Sequence, residues 1–523
     1  MARERVNGVR PARGPFGKFG EPTSGNCVVV TIDGRDTFEQ VYGHVLNAKR
    51  SVLIANYDLD PHLRFARNYP SAARHVMIKS ACSKSLAVGS IAEESRRYTL
   101  QDLLVEKARN GVEIKIIVWQ PRLVLRILPG ADERGIDGRA DDVEILNGIA
   151  KSYGVGDKLQ VKIDSTAPTL TSAHHEKMMV IDYEVGFCGG LDLSNGKWDT
   201  SAHDYESQLR DTGAEPWHDV HAMVRGPAVH DLAYHFWQRW SYADTRDRRA
   251  VMAAVKLPAG PEPAGTVPVV ALRTWKEVDR NGSIKAWYSE MFRKAKVGIY
   301  IENQFPFQSR SLTKLLAKRL TEEPGLKVVI VGPMEPNLPG LVGSMLSKMS
   351  VNDVNKNLAD LRKLSGGRVA TYSLISQHKT VPTMRKQIYV HSKIMIVDDQ
   401  WMTIGSANLD RNGTDDSSEF NLGITSADLA AKTRVRLWQE HTGGSVPRSR
   451  LVDFFQGFEA WSKLARANGA RVAASKPLMG ASTFTTLKRR ACRLRTPGPR
   501  AATGLRYYDA WYSLYMAPVE SLT

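Results

Sequence analysis

Residues 174–182 read HHEKMMVID and residues 390–398 read VHSKIMIVD. In each stretch a histidine is followed two places later by a lysine, and five places after that by an aspartate. On an extended strand, positions i and i+2 face the same way. His175 with Lys177, and His391 with Lys393, therefore each present an imidazole and an ammonium to one face. The apolar run that follows returns the strand to a core. The longer stretches HHEKMMVIDYEVGFCGGLD (174–192) and VHSKIMIVDDQWMTIGSAN (390–408) align without a gap. That alignment sets Asp182 opposite Asp398, Gly189 opposite Gly405 and Asp192 opposite Asn408.

Working outward, the repetition continues. NAKRSVLIANYDL (47–59) matches RKAKVGIYIENQF (293–305), and TLQDLLVEKARNGVEIKIIVWQP (99–121) matches SLTKLLAKRLTEEPGLKVVIVGP (311–333). Each strand-like run follows an amphipathic helix. Phe38, Val41, Tyr42 and Val45 form one apolar stripe; Ile284, Trp287, Tyr288, Met291, Phe292 and Ala295 form the other, with Ser283 expected as the N-cap. The continuous apolar runs IKIIVW and VVIVG have the character of strands covered on both faces. Helices alternating with such strands define an α/β protein.

The duplication predicts two similar α/β/α sandwich lobes, related by a pseudo-twofold axis and packed face to face, with a site at their interface. The expected organisation is a basic irregular tail over 1–30, a first lobe over 31–250, a Pro/Gly-rich linker over 251–275, a second lobe over 276–460 and a basic extension over 461–523. Each lobe carries one HxKxxxxD motif.

Composition sets wider limits. The 523-residue chain is 42% hydrophobic and 24% charged, ordinary for a globular protein. Its N-terminus is basic and Gly/Pro-broken, unlike a secretory signal, and no run reaches the apolar length that crosses a bilayer. The expectation is a soluble or membrane-surface protein: cytoplasmic, peripheral, or exported without a cleaved signal. The four cysteines show no paired spacing, which fits a reducing compartment. A net charge of +17 favours an anionic partner: nucleic acid, an anionic bilayer or a phosphate-bearing substrate. Part of that charge lies in the irregular stretch LKRRACRLRTPGPR (487–500).

Two imidazoles and two ammonium groups gathered at one point suit a phosphodiester. The lysines hold the non-bridging oxygens, a neutral histidine attacks phosphorus, and a protonated one donates to the leaving oxygen. This scheme needs no metal and no cofactor.

The paired HxKxxxxD motifs, with their trailing GG and GSxN, resemble those of the phospholipase D superfamily. GGLDL, PWHDVHAMVRGPAV and YIENQFP narrow the resemblance to the eukaryotic-type branch and its bacterial relatives, over roughly residues 36–445. The resemblance implies hydrolysis of the head-group phosphodiester of lipids such as phosphatidylcholine, through a phosphohistidine intermediate. His175 would be the nucleophile and His391 the general acid, with water or a primary alcohol as acceptor. Lys177, Lys393, Asn408 and Ser406 would line the phosphate, with Gly190 nearby. Asp219 and Glu419 would orient the histidines. Asp182 and Asp398 belong to the same signature and are counted with the catalytic set, although anchoring of the strand-to-turn geometry suits them better than contact with substrate. Asp192 is the odd member, since a carboxylate beside a phosphate repels it.

Several residues have competing readings. His218, His221 and His174 suggest a zinc cluster, but i and i+3 on a strand face opposite ways, which favours packing. Glu302, Asn303 and Gln304 either reach the cleft or cap a strand. RLVLRILPG (122–130) is a lipid-facing lip or a core helix. The rival functions are a nuclease of the same superfamily and an inactive membrane-binding scaffold. A phospholipid surface is the expected partner, nucleic acid is disfavoured, and no obligate protein partner is implied. Activity is expected to survive chelators.

Overall fold

The computed structural model describes residues 22–65, 67, 77–78, 86–87, 99–120, 138–167, 172–211, 213–245, 257–278, 282–334, 340–479 and 483–485. In the first half the strands lie side by side in the order Leu159–Asp164, Glu113–Trp119, Ser51–Asn56, Lys177–Ile181, Val185–Gly189, Val220–Arg225 and Thr23–Ile32. The second half runs Val369–Gln377, Lys327–Val331, Gly298–Glu302, Ile394–Val397, Trp401–Gly405, Glu419–Thr425 and Val267–Thr274. In both, the first two pairings are parallel and the remainder antiparallel. The duplication read from the sequence is thus a duplication of topology.

The sheets meet edge to edge, where Thr23 pairs with Val269 and Asn26 with Val267. They also pack face to face. Val30, Cys188 and Ala222 of one sheet share a core with Ala271, Ile404 and Leu422 of the other. On the outer faces, helices Asp33–Leu46 and Leu100–Arg109 close one core. Helices Ser283–Lys294 and Arg310–Glu322 close its counterpart. The apolar stripes seen in the sequence are the buried faces, and burying each such side chain stabilises by roughly 1.5–3 kcal/mol.

Three domain boundaries differ from expectation. The tail proposed for 1–30 includes most of strand Thr23–Ile32, which bridges both sheets. The linker proposed for 251–275 includes strand Val267–Thr274, paired along its length with Glu419–Thr425. In the supposed extension from 461, helix Phe454–Ala473 runs on and buries Trp461, Leu464, Ala465 and Val472. In each case flanking charge or proline hid an apolar pattern. Ser283 is the first helical residue, not the cap; Gly282 is the N-cap, and the serine hydroxyl accepts from Arg273 N (2.8 Å). Cys27 is disulfide-bonded, although the spacing of the four cysteines suggested no disulfide framework, while Cys188 is free and buried. Residues 122–130 and 487–500 lie outside the described residues.

Among the described residues, no helix is long and apolar enough to cross a membrane.

Candidate active site

Both HxK motifs sit at the mouths of their strands, just before the chain enters the sheet. His175 N donates to Ser418 O (2.8 Å), and His391 N donates to His218 O (2.9 Å). Each motif is thereby tied to a segment of the opposite lobe. The side chains repeat this exchange. His175 Nδ1 lies 3.0 Å from Glu419 Oε1, and His391 Nδ1 lies 2.8 Å from Asp219 Oδ2. Asp219 and Glu419 do orient the histidines, but each serves the other lobe's imidazole. With Nδ1–H donating to a carboxylate, the lone pair of each ring is fixed on Nε2.

The lysines are fully buried. Lys177 Nζ pairs with Asp192 Oδ1 (3.2 Å) and donates to His175 O (3.1 Å). Lys393 Nζ donates to Gln304 Oε1 (3.2 Å) and to His391 O. Asp192 thus neutralises Lys177, and burial raises its pKa while Lys177 opposes the rise. This answers the puzzle of a carboxylate near a phosphate site. Asn408 Nδ2 points to Gln304 Oε1 (3.4 Å), and its buried Oδ1 has no hydrogen-bond partner. It remains a suitable phosphate-side group.

Burial and crowding of cations tune these groups. His391 is held well below its ordinary pKa by burial, then by the charges of Lys393, Lys177, Lys197 and His175. Burial lowers Lys393 to about 7, against the attraction of Asp219. Burial raises Asp219 to about 7, against Lys393. Burial also lifts Glu419 well above the carboxylate range, with Ser406 opposing. These surroundings favour the neutral form of His391. An anionic phosphodiester between the lysines offsets their field and lets this ring hold a proton.

Three assignments need correction. Asp182 and Asp398, counted with the catalytic set, take up the anchoring position that was the preferred reading for them. Asp182 accepts from the backbone of Lys49, Arg50 and Ser51 (2.8, 2.6 and 2.9 Å). Asp398 accepts in the same way from Lys296, Val297 and Gly298 (2.8, 2.8 and 2.9 Å). Both sit in left-handed turns (φ +54° and +52°) at the far ends of their strands, where they fasten the turn to the start of the neighbouring strand. Ser406 does not face phosphate: its hydroxyl donates to Glu419 and its N–H to Phe420 O. Gly190 spends its N–H on Val220 O (3.1 Å), and a Cβ there would lie 2.1 Å from Asp219 Oδ1. That glycine makes room for the carboxylate.

The suggested trio of His174, His218 and His221 does not converge. His174 bonds to Thr166 Oγ1 (2.9 Å), His221 packs against Gly189, and His218 lies between Asp33 and Glu302. Of Glu302, Asn303 and Gln304, only Gln304 reaches the lysines. Asn303 Oδ1 accepts from Phe305 N and Leu409 N, and Glu302 is buried against His218 and His441.

Sequence reasoning missed two features. Tyr57 packs edge-on to His175 (4.9 Å between centroids), and Trp217 packs against His391 (5.0 Å). Lys197 is a third ammonium, 3.7 Å above the Trp217 ring, and burial lowers its pKa against the pull of Asp58 and Asp192. The motif alignment sets Gly413 opposite Lys197, so this asymmetry was available in the sequence.

The structure is a duplicated two-lobe α/β protein whose paired imidazoles are clamped reciprocally and flanked by buried lysines, the groups that phosphate-ester chemistry calls for. The comparisons agree in kind. The family model described as Phospholipase D matches residues 71–262, and that described as Cardiolipin synthase, PLD-like domain, matches 288–440. The chain is 24% identical to phospholipase D alpha 4 of Arabidopsis thaliana over 81% of its own length and 65% of that protein's. It is 25% identical to phospholipase D A of Dictyostelium discoideum over 80% of its length and 35% of that protein's. Among solved structures, phosphatidylserine synthase of Haemophilus influenzae Rd KW20 superposes with a TM-score of 0.52 at 12% identity, covering 86% of this chain and 94% of that one. The last likeness concerns fold alone. The chain belongs to the phospholipase D superfamily.

Proposed function

We propose that the chain is a phospholipase D, cleaving the head-group phosphodiester of a glycerophospholipid to phosphatidic acid and free alcohol. The observation that carries this reading is the reciprocal clamp, which gives both rings the tautomer that attacks and protonates through Nε2. Nε2 of His175 attacks phosphorus as the bond to the head-group oxygen breaks, and that oxygen takes its proton from His391. Water then loses a proton to His391 and attacks phosphorus, and the phosphorus–nitrogen bond breaks. Lys177, Lys393 and Asn408 hold the non-bridging oxygens as charge develops on them. A primary alcohol in place of water yields the transphosphatidylation product. The acting surface is that of a membrane, approached from the aqueous side.

The +17 charge favours a second reading, a nuclease of the same superfamily. Incubating the enzyme with phosphatidylcholine vesicles and ethanol, beside plasmid DNA, separates the two. Phosphatidylethanol formed by the wild type but not by His175→Ala or His391→Ala supports the lipid reading. Nicked DNA without lipid turnover overturns it.

A further inference from the structure

Beside Asp219, which follows the short strand Trp217–His218, lies a second gathering of ionisable groups that the phosphodiester chemistry does not use. Asp33, His203, His218 and Glu440 each aim one donor atom at a common point, all within 4.8 Å of one another. His203 Nε2 lies 3.6 Å from Asp33 Oδ2 and 3.4 Å from Glu440 Oε1. His218 Nδ1 lies 2.9 Å from Asp33 Oδ1 and 3.0 Å from Glu440 Oε1. The side chains of Asp33 and His203 are each 1% exposed, yet Asp33 Oδ2 and His203 Nε2 have no hydrogen-bond partner.

The opposite nitrogens explain the orientation of the rings. His203 Nδ1 donates to Asp199 Oδ2 (2.9 Å), itself held by Arg210 through Oδ1 (2.9 Å). His218 Nε2 lies 2.9 Å from Glu302 Oε2. Each imidazole has an outer carboxylate on one nitrogen, the arrangement by which proteins fix metal-ligating histidines, and turns its other nitrogen towards Asp33 and Glu440. A ring nitrogen facing two buried carboxylates holds either a proton or a metal cation between them. The spacing bears on its size. A proton shared between nitrogen and oxygen draws them to about 2.8 Å, whereas tetrahedral ligands about 2.0–2.1 Å from zinc lie about 3.3–3.4 Å apart. The contacts of His203, at 3.4 and 3.6 Å, lie at or beyond the second value, and those of His218, at 2.9 and 3.0 Å, lie between the two. Two carboxylates and two neutral imidazoles around a dication also sum to zero charge, the condition for burying such a set.

We propose that Asp33, His203, His218 and Glu440 form a buried site for a transition-metal dication, zinc foremost, that rivets the two lobes together. Asp33, His203 and His218 come from the first lobe, and Glu440 from helix Ala427–His441 of the second. The rivet sits under the catalytic clamp. Asp33 N donates to Asp219 O (2.8 Å), and Trp217 N donates to Asp199 Oδ2 (2.9 Å). Asp33 holds a left-handed φ of +65°, a conformation that persists where surroundings enforce it. The metal takes no part in phosphoryl transfer; it positions the strand Trp217–His218 and the Asp219 that follows it.

The test is metal analysis of the tag-free full chain after dialysis against metal-free buffer, with melting curves in the presence and absence of added zinc. The expected result is about one dication per chain, or a zinc-dependent rise in Tm of several degrees if the metal is lost in purification. Cobalt-loaded protein should show the intense visible bands of tetrahedral nitrogen and oxygen ligation. His203→Gln and Glu440→Gln should lose metal and bands, while His62→Gln, an exposed histidine with no contact to the four ligands, keeps both. Absence of bound metal together with no response of Tm to zinc overturns the proposal, leaving a proton-filled ionic cluster. Metal retained undiminished by folded His203→Gln overturns it equally. Should that variant fail to fold, the wild-type metal content, Tm response and cobalt spectrum decide. None of these readouts depends on the substrate.

Discussion

Asp219, on the first lobe, holds Nδ1 of His391, on the second, at 2.8 Å, while Glu419 returns the same service to His175. Neither half-site is complete within its own lobe. Asp219→Asn and Glu419→Gln should each leave the fold intact but lose the enforced tautomer, lowering kcat roughly 10²–10⁴-fold. Acid-quench trapping distinguishes them. Glu419→Gln should abolish accumulation of phosphohistidine, whereas Asp219→Asn should slow release of alcohol and the subsequent hydrolysis. Equal and small effects on both steps would contradict the crossed assignment.

The titrations predict a narrow pH optimum. Below about pH 7 Asp219 takes up a proton and ceases to hold His391 as a carboxylate, so kcat/KM falls with acidity. Above about pH 7 the Lys393 ammonium is lost, so kcat/KM falls with alkalinity too. Bound phosphodiester favours the ammonium, and the alkaline limb of kcat should therefore lie at higher pH than that of kcat/KM. Lys393→Arg should remove the alkaline limb altogether, whatever its rate. A kcat/KM profile flat across neutrality would count against this account.

Much of this was legible beforehand, for definite reasons. The duplicated motif exposes topology, because strand periodicity and helix stripes repeat at matching offsets in both halves. The crossing of the carboxylates was hidden, because it depends on how two sheets meet and not on any spacing within one. Lys197 was hidden because the duplication marks only positions shared by both halves, and its counterpart in the second is a glycine. Asp182 and Asp398 were counted as catalytic through membership of the signature. Their six backbone contacts show that a signature collects structural residues alongside reacting ones.

Lys197 offers a test of the asymmetry. Its charge helps to depress the pKa of His391, so Lys197→Met should raise that pKa and shift the corresponding limb of the rate profile upward. It should also lower kcat/KM by roughly tenfold, if the ammonium steers the anionic substrate. Lys197→Arg should restore most of both. An unshifted pH profile in the methionine variant would reduce Lys197 to a packing residue on Trp217.

For Asp182 and Asp398 the expected loss is stability. Replacement by alanine strips a carboxylate from three backbone N–H groups and leaves a left-handed turn without its anchor, costing about 2–3 kcal/mol each. Thermal melts should show the drop, while kcat of the folded fraction stays near that of the wild type. A thousandfold loss of kcat at unchanged Tm would return these aspartates to the catalytic set.

The sharpest steric prediction concerns Gly190. A methyl group there would stand 2.1 Å from Asp219 Oδ1, far inside contact distance. The carboxylate is fully buried and also accepts from Val220 N, so it has little room to retreat. Gly190→Ala should push Asp219 off His391 and reproduce much of the Asp219→Asn defect in kcat, although residue 190 has no functional group. Combining the two substitutions should then cost scarcely more than either alone, since both break the same contact. Fully additive losses in the double variant would show that Gly190 acts through something other than the clamp.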